Sequence, residues 1–491
     1  MGFVIGIDVG SQSVKALIVD EDGHPVAQAS APCAMSHPAS GWAEQDPADW
    51  EAALSTAVRE ACDQDGIKAA DVTMLGLACQ VDGVVALDAQ LRPLRPGIIW
   101  LDRRATAQCD ALAAAAGEER VVAVTGCNPD ASHSGPKAMW LRDAEPELYA
   151  RTRWLAPVAG HLGGWLTGEL AQDHANASST LLYDVALRAW SDELVAIAGL
   201  DPALLPPIRR AHDLLGTLRP EAAEALGLSE RCGVVVGTGD DHGAALGAGA
   251  VSPGIVVDVT GTAEPVAVPA LEPVIDPEHV VETHAHAVDG MLLVENPGFV
   301  SGGSTLWWAT TLGIEQGRLF DLAGEAPVAS DGVLFLPTLS GATAPRWNDE
   351  MRGCFAGLSL NHGPAHMARA VLEGCAYALR DIVGRFDALG LGGREIRVVG
   401  GGARSPLWMQ IKADVTGRPV RAVAGDHATS AGAAMLAALA AGYFDDLEQA
   451  AARVVRLAPE PVLPRPEAVQ RYAAAYDDYR RLYSGVEGAL A

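Results

Sequence analysis

The sequence predicts an α/β protein of two related domains that face each other across a cleft. Three observations lead there. Apolar runs of strand length alternate with helical stretches along the chain. The chain opens on a strand, a glycine turn and a return strand, and the same pattern restarts after residue 250. At 491 residues it is also too long for one ordinary core.

The first strand is Phe3 to Val9, apolar but for Gly6 and Asp8, and the turn Gly10-Ser11 follows it. Gln12 and Ser13 lead into a second apolar strand that ends at Asp20, and Asp22-Gly23 supplies the next turn. The hairpin tip offers backbone N–H groups, the hydroxyls of Ser11 and Ser13, and Lys15 to an anion. Asp8 is placed to hold a metal-bound water. A phosphate-handling site is the reading that uses all of these groups.

Met74 to Leu77 forms a short strand feeding Ala78-Cys79-Gln80-Val81-Asp82-Gly83. Residues 84–87 and 98–100 are further expected strands, the latter running into Leu101-Asp102-Arg103-Arg104. Residues 131–190 hold helices and loops, with Trp140, Trp154, Trp165 and Trp190 as packing residues. Val234 to Val236 is a buried strand that runs into Gly237-Thr238-Gly239-Asp240-Asp241-His242-Gly243, then a small-residue helix over 244–250. Ser252-Pro253-Gly254 breaks the chain, so residues 1–250 and 251–491 are the two expected domains.

The second half opens on Ile255 to Thr262, again an apolar strand ending in Gly261 and a hydroxyl residue, with a return strand over 265–268. Ile396 to Val399 then leads into Gly400-Gly401-Gly402-Ala403-Arg404-Ser405. As an internal repeat the likeness is short. As a functional pattern it is stronger: three glycine turns, each after a buried strand, are placed to hold the phosphates and adenosine of a nucleotide. No P-loop and no dinucleotide-binding glycine fingerprint fits anywhere.

Composition removes several alternatives. The formal net charge is −27 with no basic tract, which disfavours a nucleic-acid partner or an anionic membrane surface. The apolar run over 431–444 is too short and alanine-rich to span a bilayer and reads as a buried helix. Eight scattered cysteines without a C-x-x-C speak against a zinc knuckle, a redox dithiol or a disulfide framework, and fit a reducing cytosol. With no secretory or myristoylation signal at the start, a cytoplasmic location is expected. His284-Ala285-His286 puts two imidazoles on one strand face, but no third ligand is evident in the sequence.

The residues also carry a specific resemblance. Gly353-Cys354-Phe355-Ala356-Gly357-Leu358, seven residues, then His366-Met367-Ala368-Arg369-Ala370-Val371-Leu372-Glu373 is similar at every fixed position to the C-terminal signature of the FGGY family of carbohydrate kinases. The N-terminal signature is matched imperfectly by Ser132 to Asp143, with Lys137 and Trp140 in place but Ala138 and Ala144 departing from the usual residue types. The resemblance spans Ile5 to the helix bearing Tyr472, Tyr476, Tyr479 and Tyr483, whose helical spacing marks packing residues. It implies two actin-like ATPase (ribonuclease H-like) domains with a cleft between them. Within the family, Gly41 to Pro47, Val371 to Gly374 and Gly400 to Ser405 resemble the xylulokinase branch.

The resemblance implies roles residue by residue. The general base, in a G-x-G-D turn, falls on Asp240; Asp241 is the competing candidate, and counting back from Gly247 and Gly249 favours Asp240. Asp8 would orient Mg²⁺ through water. Gly10, Ser11, Gln12, Ser13 and Lys15 would face the phosphates of ATP from one domain, and Gly261 and Thr262 from the other. Gly401, Gly402, Ala403 and Arg404 look like the adenosine-side turn, with Gly302 and Gly303 nearby. On the sugar side stand Gln80, Val81, Asp82, Trp100, Asp102, Asp240 and Asp241, with His242 a further candidate. Xylulokinases usually carry Gln-Met-His-Gly where this chain has Gln80-Val81-Asp82-Gly83. Glycerol kinases carry a carboxylate there, but after an arginine that Val81 does not supply. An aspartate can accept hydrogen bonds from two adjacent hydroxyls, which suits a ketose or polyol. The expected reaction is ATP-dependent phosphorylation of a small sugar, D-xylulose first, with L-ribulose, erythritol or glycerol as alternatives. A catalytically silent regulator would have lost Asp8, Asp240 or the glycine turns, and all are present. A homodimer is common among such kinases.

Overall fold

The structure, a computed structural model, describes residues 2–64 and 66–490; Asp65 and the outer limits of the expected domains, Met1 and Ala491, lie outside the described residues. The first half is built on β1 (Phe3–Val9), buried along its whole length. β2 (Ser13–Asp20) and β3 (Pro25–Pro32) follow as an antiparallel meander. α1 (Pro47–Cys62) starts where the Asp46 carboxylate accepts the Ala48 N–H, with Pro47 preset for the first turn. It buries Trp50, Leu54, Ala57, Val58 and Ala61 in the same core as β1 and β2. β4 (Val72–Cys79) runs parallel to β1, α2 (Ser134–Ala144) belongs to a peripheral cluster, and β5 (Leu214–Thr217) and β6 (Gly233–Val235) complete the sheet before α3 (Asp240–Gly247). The strand order is β5-β6-β4-β1-β2-β3.

The second half repeats this plan. β7 (Ile255–Thr260) pairs antiparallel with β8 (Val266–Ala270), and β9 (Glu282–Ala285) and β10 (Leu292–Asn296) extend that side. α4 (Gly302–Leu312) and the long α5 (Pro364–Ala388) precede β11 (Glu395–Gly400), which is parallel to β7 as β4 is to β1. α6 (Pro406–Thr416), β12 (Val420–Ala422), α7 (Ala428–Ala440) and α8 (Pro466–Leu490) end the chain. The sheet order is β9-β10-β8-β7-β11-β12. Two mixed sheets with the same start, an antiparallel hairpin and then a parallel neighbour, are the doubled actin-like arrangement anticipated above.

α7 is the buried helix expected over 431–444, but it lies against the first-half sheet. Its Ala434 to Ala438 share a core with Val4, Leu17 and Val19. Glycines make this approach physical: a Cβ on Gly6 would stand 1.8 Å from Ser430 O, and one on Gly247 of α3 would stand 1.8 Å from Ala428 O. α3 and α7 therefore cross with backbones in contact. On α8, Tyr472, Tyr479 and Tyr483 are buried as packing residues, and the Tyr472 hydroxyl donates to Glu373 at 2.7 Å.

Two local expectations differ. The strand expected over 98–100 ends at Ile98, because Asp102 N–H bonds back to Ile99 O and turns the chain. The helix expected over 244–250 begins earlier, at Asp240, which puts both acids in its first turn.

Candidate active site

Asp240 and Asp241 face a cavity of about 430 Å³ between the two halves, whose wall also includes Val81, Asp82, Trp100 and His133. Two acids in the first turn of α3 suit the positive end of its dipole. Burial pushes the Asp240 carboxyl well above the ordinary range, and the charges of Asp241 and Asp8 push it further. Asp241 is raised too, by burial and then by Glu295 and Asp82. A carboxylate so placed is a strong proton acceptor once ionised.

Asp82 reaches the cavity through an unusual backbone. Its φ of 60° is left-handed, a region Asp tolerates better than bulkier residues. The Lys137 ammonium of α2 donates to Asp82 O at 2.8 Å and to Ser132 O, which holds that turn. Burial lowers the Lys137 pKa to about 8. Asp82 Oδ1 lies 3.2 Å from His133 Nδ1, which also donates to Ser179 O at 2.8 Å. Burial alone would keep His133 neutral, but the Asp82 carboxylate and then Glu282 raise it to about 10. The cavity wall thus contains a carboxylate–imidazolium pair.

Gln80 and Asp102 do not line the cavity. Asp102 is fully buried, accepting the Ala43 N–H at 2.6 Å and gripping the Arg104 guanidinium, so its charge is spent on the fold. Gln80 Nε2 donates to Gln45 Oε1, and Gln45 in turn donates to Ser11 O. The two glutamines brace the first hairpin from below. Trp100 stands half out of the wall, its Nε1 3.4 Å from Ser11 Oγ. His242 does line the cavity; burial and the neighbouring His286 and His284 push its pKa well below the ordinary value.

On the nucleotide side, Lys15 donates to Asp8 Oδ2 at 3.0 Å, and Gly10 N–H to Ser13 O closes the hairpin. Burial raises the Asp8 carboxyl, and Lys15 opposes this. Gly401 faces open space, where a Cβ would meet nothing within 4 Å, whereas one on Gly10 would make ordinary contacts with Ser13 O at 3.5 Å and Asp8 Oδ1 at 3.9 Å. By contrast a Cβ on Gly302 would stand 2.2 Å from Gly261 O, and one on Gly402 would press into Thr260. Gly302 and Gly402 thus let three segments meet, while Gly401 leaves room beside it. Gln12, Gly261 and Thr262 are exposed at their turns, Ser13 and Ala403 are half-buried, and the Arg404 guanidinium is paired with Asp426 at 2.5 Å.

Sequence reasoning missed the support beneath the second turn. Lys412 on α6 is fully buried and donates to Asp258 Oδ2 and Thr260 Oγ1 at 2.6 Å each and to Glu264 Oε1 at 3.0 Å. Ser301 donates to the other Glu264 oxygen. Burial would deprotonate Lys412, but Asp258 and Glu264 hold it charged. It missed His133 as well, although that residue stands inside the N-terminal signature, and Glu282 and Glu295 of the cavity wall; His284 it read only as one of a histidine pair, and the β9–β10 pairing brings the three together.

Comparison with known proteins bears on the whole chain. Residues 3–247 match the FGGY family of carbohydrate kinases, N-terminal domain, and residues 257–441 match its C-terminal domain. The chain is 34% identical to the xylulose kinase of Escherichia coli (strain K12), with 98% of each chain covered. It is 32% identical to a glycerol kinase of Aromatoleum aromaticum, with 100% of each covered. The crystal structure of a xyloylose kinase from Brucella ovis superposes with a TM-score of 0.91 at 31% identity, covering 99% of this chain and 100% of that one. Among the described residues no helix is long and apolar enough to cross a membrane.

Proposed function

The chain belongs to the FGGY family of carbohydrate kinases, and from that premise we propose that it transfers the γ-phosphoryl group of ATP to a hydroxyl of a small ketose, D-xylulose before others, giving D-xylulose 5-phosphate. The observation that carries the reading is the position of Asp240, at the start of α3 inside the cavity between the halves. A sugar hydroxyl is a poor nucleophile, and Asp240 takes its proton as the phosphoryl group leaves ATP. Such help contributes about 10²- to 10⁴-fold. Asp241 strengthens the base by raising its proton affinity.

The turn at Gly10 to Ser13, with Lys15, holds the phosphates from one side, and Gly261 and Thr262 hold them from the other. Gly302 and Gly401 to Arg404 form the adenosine side. The open face of Gly401 fits a bound nucleotide, and Asp8 Oδ1, on the side of the Gly10 turn, fits a water on Mg²⁺. The ion would neutralise charge on the transferring phosphates. Closing the halves keeps water from the phosphoryl group and limits wasteful ATP hydrolysis.

The Asp82–His133 pair favours a second reading, a different ketose or a polyol, because a charged pair replaces the usual histidine of the xylulokinase branch. The wall carries Asp82, Asp130, Asp240, Asp241, Glu282 and Glu295 against Arg103, His133 and His284, an acidic excess that favours a neutral acceptor over an acid sugar. The test is ADP release with Mg·ATP across ketopentoses, ketohexoses, small polyols and gluconate. Turnover of D-xylulose, lost in Asp240→Asn, is expected. Turnover of another neutral sugar alone would retire xylulose, and preference for gluconate would overturn the account of the cavity.

A further inference from the structure

Glu295 is a buried acid in the cavity wall, 8% exposed, on a strand whose other residues are buried too. Its neighbours in the wall are provided for. Glu282 Oε1 accepts the Asn128 N–H at 2.8 Å, Asp82 faces His133, and Asp130 is paired with Arg103. Among the described residues no donor is hydrogen-bonded to Glu295. It has a charge partner in His284, whose Nε2 lies 3.4 Å from Glu295 Oε1 and 3.6 Å from Glu282 Oε2. The other ring nitrogen, Nδ1, stands 3.6 Å from Cys127 Sγ, so both nitrogens face acceptors. Burial opposes charge on His284, but Cys127, Glu282 and Glu295 hold its pKa well above the ordinary value. An ion pair balances the charge of Glu295 and leaves its oxygens short of donors. Buried polar groups are almost always hydrogen-bonded, and an ionised carboxylate can only accept. The missing donors have to come from the cavity.

We propose that Glu295 is a sugar-binding residue supplied by the second half, its carboxylate accepting hydroxyls of the same acceptor that Asp82 and Asp240 meet from the first half. The inference rests on the sugar-kinase reading above and adds to it a residue that selects the acceptor. Burial raises the Glu295 carboxyl, His284 opposes this, and Glu282, Asp82 and Asp240 add to the rise. Glu295 in turn raises Asp241. Acids of the two halves thus feel one another across the cavity. A neutral polyhydroxylic molecule between them gives each a donor and adds no charge. An acceptor without the matching hydroxyl leaves Glu295 buried and unpaired, and sites of this kind reject such analogues. Contact with Glu295 also ties β10 to the first turn of α3 through the sugar, so acceptor binding favours closure of the halves. In the sequence Glu295 follows Leu292-Leu293-Val294 and reads as part of a core strand; only the cavity shows a use for its acid.

The test pairs Glu295→Gln with monodeoxy analogues of the acceptor that turns over. Wild type should lose roughly 10- to 100-fold in kcat/KM on one of them. In Glu295→Gln the KM for the full sugar should rise by a similar factor, with KM for ATP unchanged, and the discrimination against that analogue should largely vanish. A residue that only held the fold would lower Tm or raise both KM values and leave the discrimination intact, which would overturn the proposal. Sugar binding measured by calorimetry without ATP separates this inference from the kinase reading. Sugar that binds wild type and not Glu295→Gln, with no phosphoryl transfer in either, would retire the kinase and keep Glu295. Equal binding by the two proteins would sink the role of Glu295 whatever the activity. Wild type that binds no neutral sugar would sink both.

Discussion

Asp82 and His133 form an ion pair in the wall of the cavity between the halves, Oδ1 to Nδ1 at 3.2 Å, although one lies after β4 and the other just before α2. The left-handed turn at Asp82 and the Lys137 bond to its carbonyl aim the carboxylate at that ring. Asp82→Asn should raise the KM for sugar roughly 10- to 100-fold, the value of a charge-assisted hydrogen bond of about 1.5–3 kcal/mol. The same pair gives a pH signature. Because His133 is raised to about 10 in the fold, its contribution to stability is complete below its ordinary pKa of about 6.5 and fades as pH rises through 10. Denaturation of wild type and Asp82→Asn from pH 6 to 10 should show the two curves converging.

Asp240→Asn separates stability from activity. Its carboxyl is raised by burial, so ionising it costs the folded state, and the cost appears as pH rises through the raised pKa. The variant should therefore melt higher than wild type at pH 8 and match it near pH 3, while kcat falls at least about 100-fold. Equal melting temperatures at both pH values would contradict the burial argument.

Asp241→Asn should move the acid limb of the kcat/KM profile to lower pH. As the proposed base, Asp240 must be ionised in the free enzyme, so activity should be lost as pH falls through its pKa. Removing the neighbouring charge lowers that pKa. A limb that stays in place would mean another group sets it.

Lys412→Met leaves Asp258 and Glu264 buried without their cation. Breaking such a pair costs about 3–5 kcal/mol. The turn at Gly261–Thr262 stands on this network, so KM for ATP should rise with little change in KM for sugar. Calorimetry together with initial rates would show both.

Two glycine variants distinguish packing from binding. Gly432→Ala would put a Cβ 2.0 Å from Gly243 O where α3 crosses α7, and should destabilise by about 1–3 kcal/mol. Gly401→Ala adds a methyl to open space, so stability should change by no more than about 0.5 kcal/mol while KM for ATP rises. An unchanged KM would move the nucleotide away from Gly401.

The roles expected of Asp240 and Asp82 came with the family resemblance; the amino-acid sequence by itself determined the two-fold α/β plan, the glycine turns and the place of Asp8. These are local facts: apolar period, turn residues and short motifs act over a few neighbours in the chain. Tertiary structure decided which side chains remain available. Asp102 and Gln80 stand in the expected segments, yet Arg104 and Gln45 consume them. His133, Lys412 and His284 acquire their partners only when distant segments pack. Even α7, read correctly as a buried helix, left its address unstated, because small residues permit close approach without naming the sheet approached. Which charge is buried, and beside what, is a property of the folded chain, since both Coulomb energy and desolvation depend on distances that sequence separation does not contain.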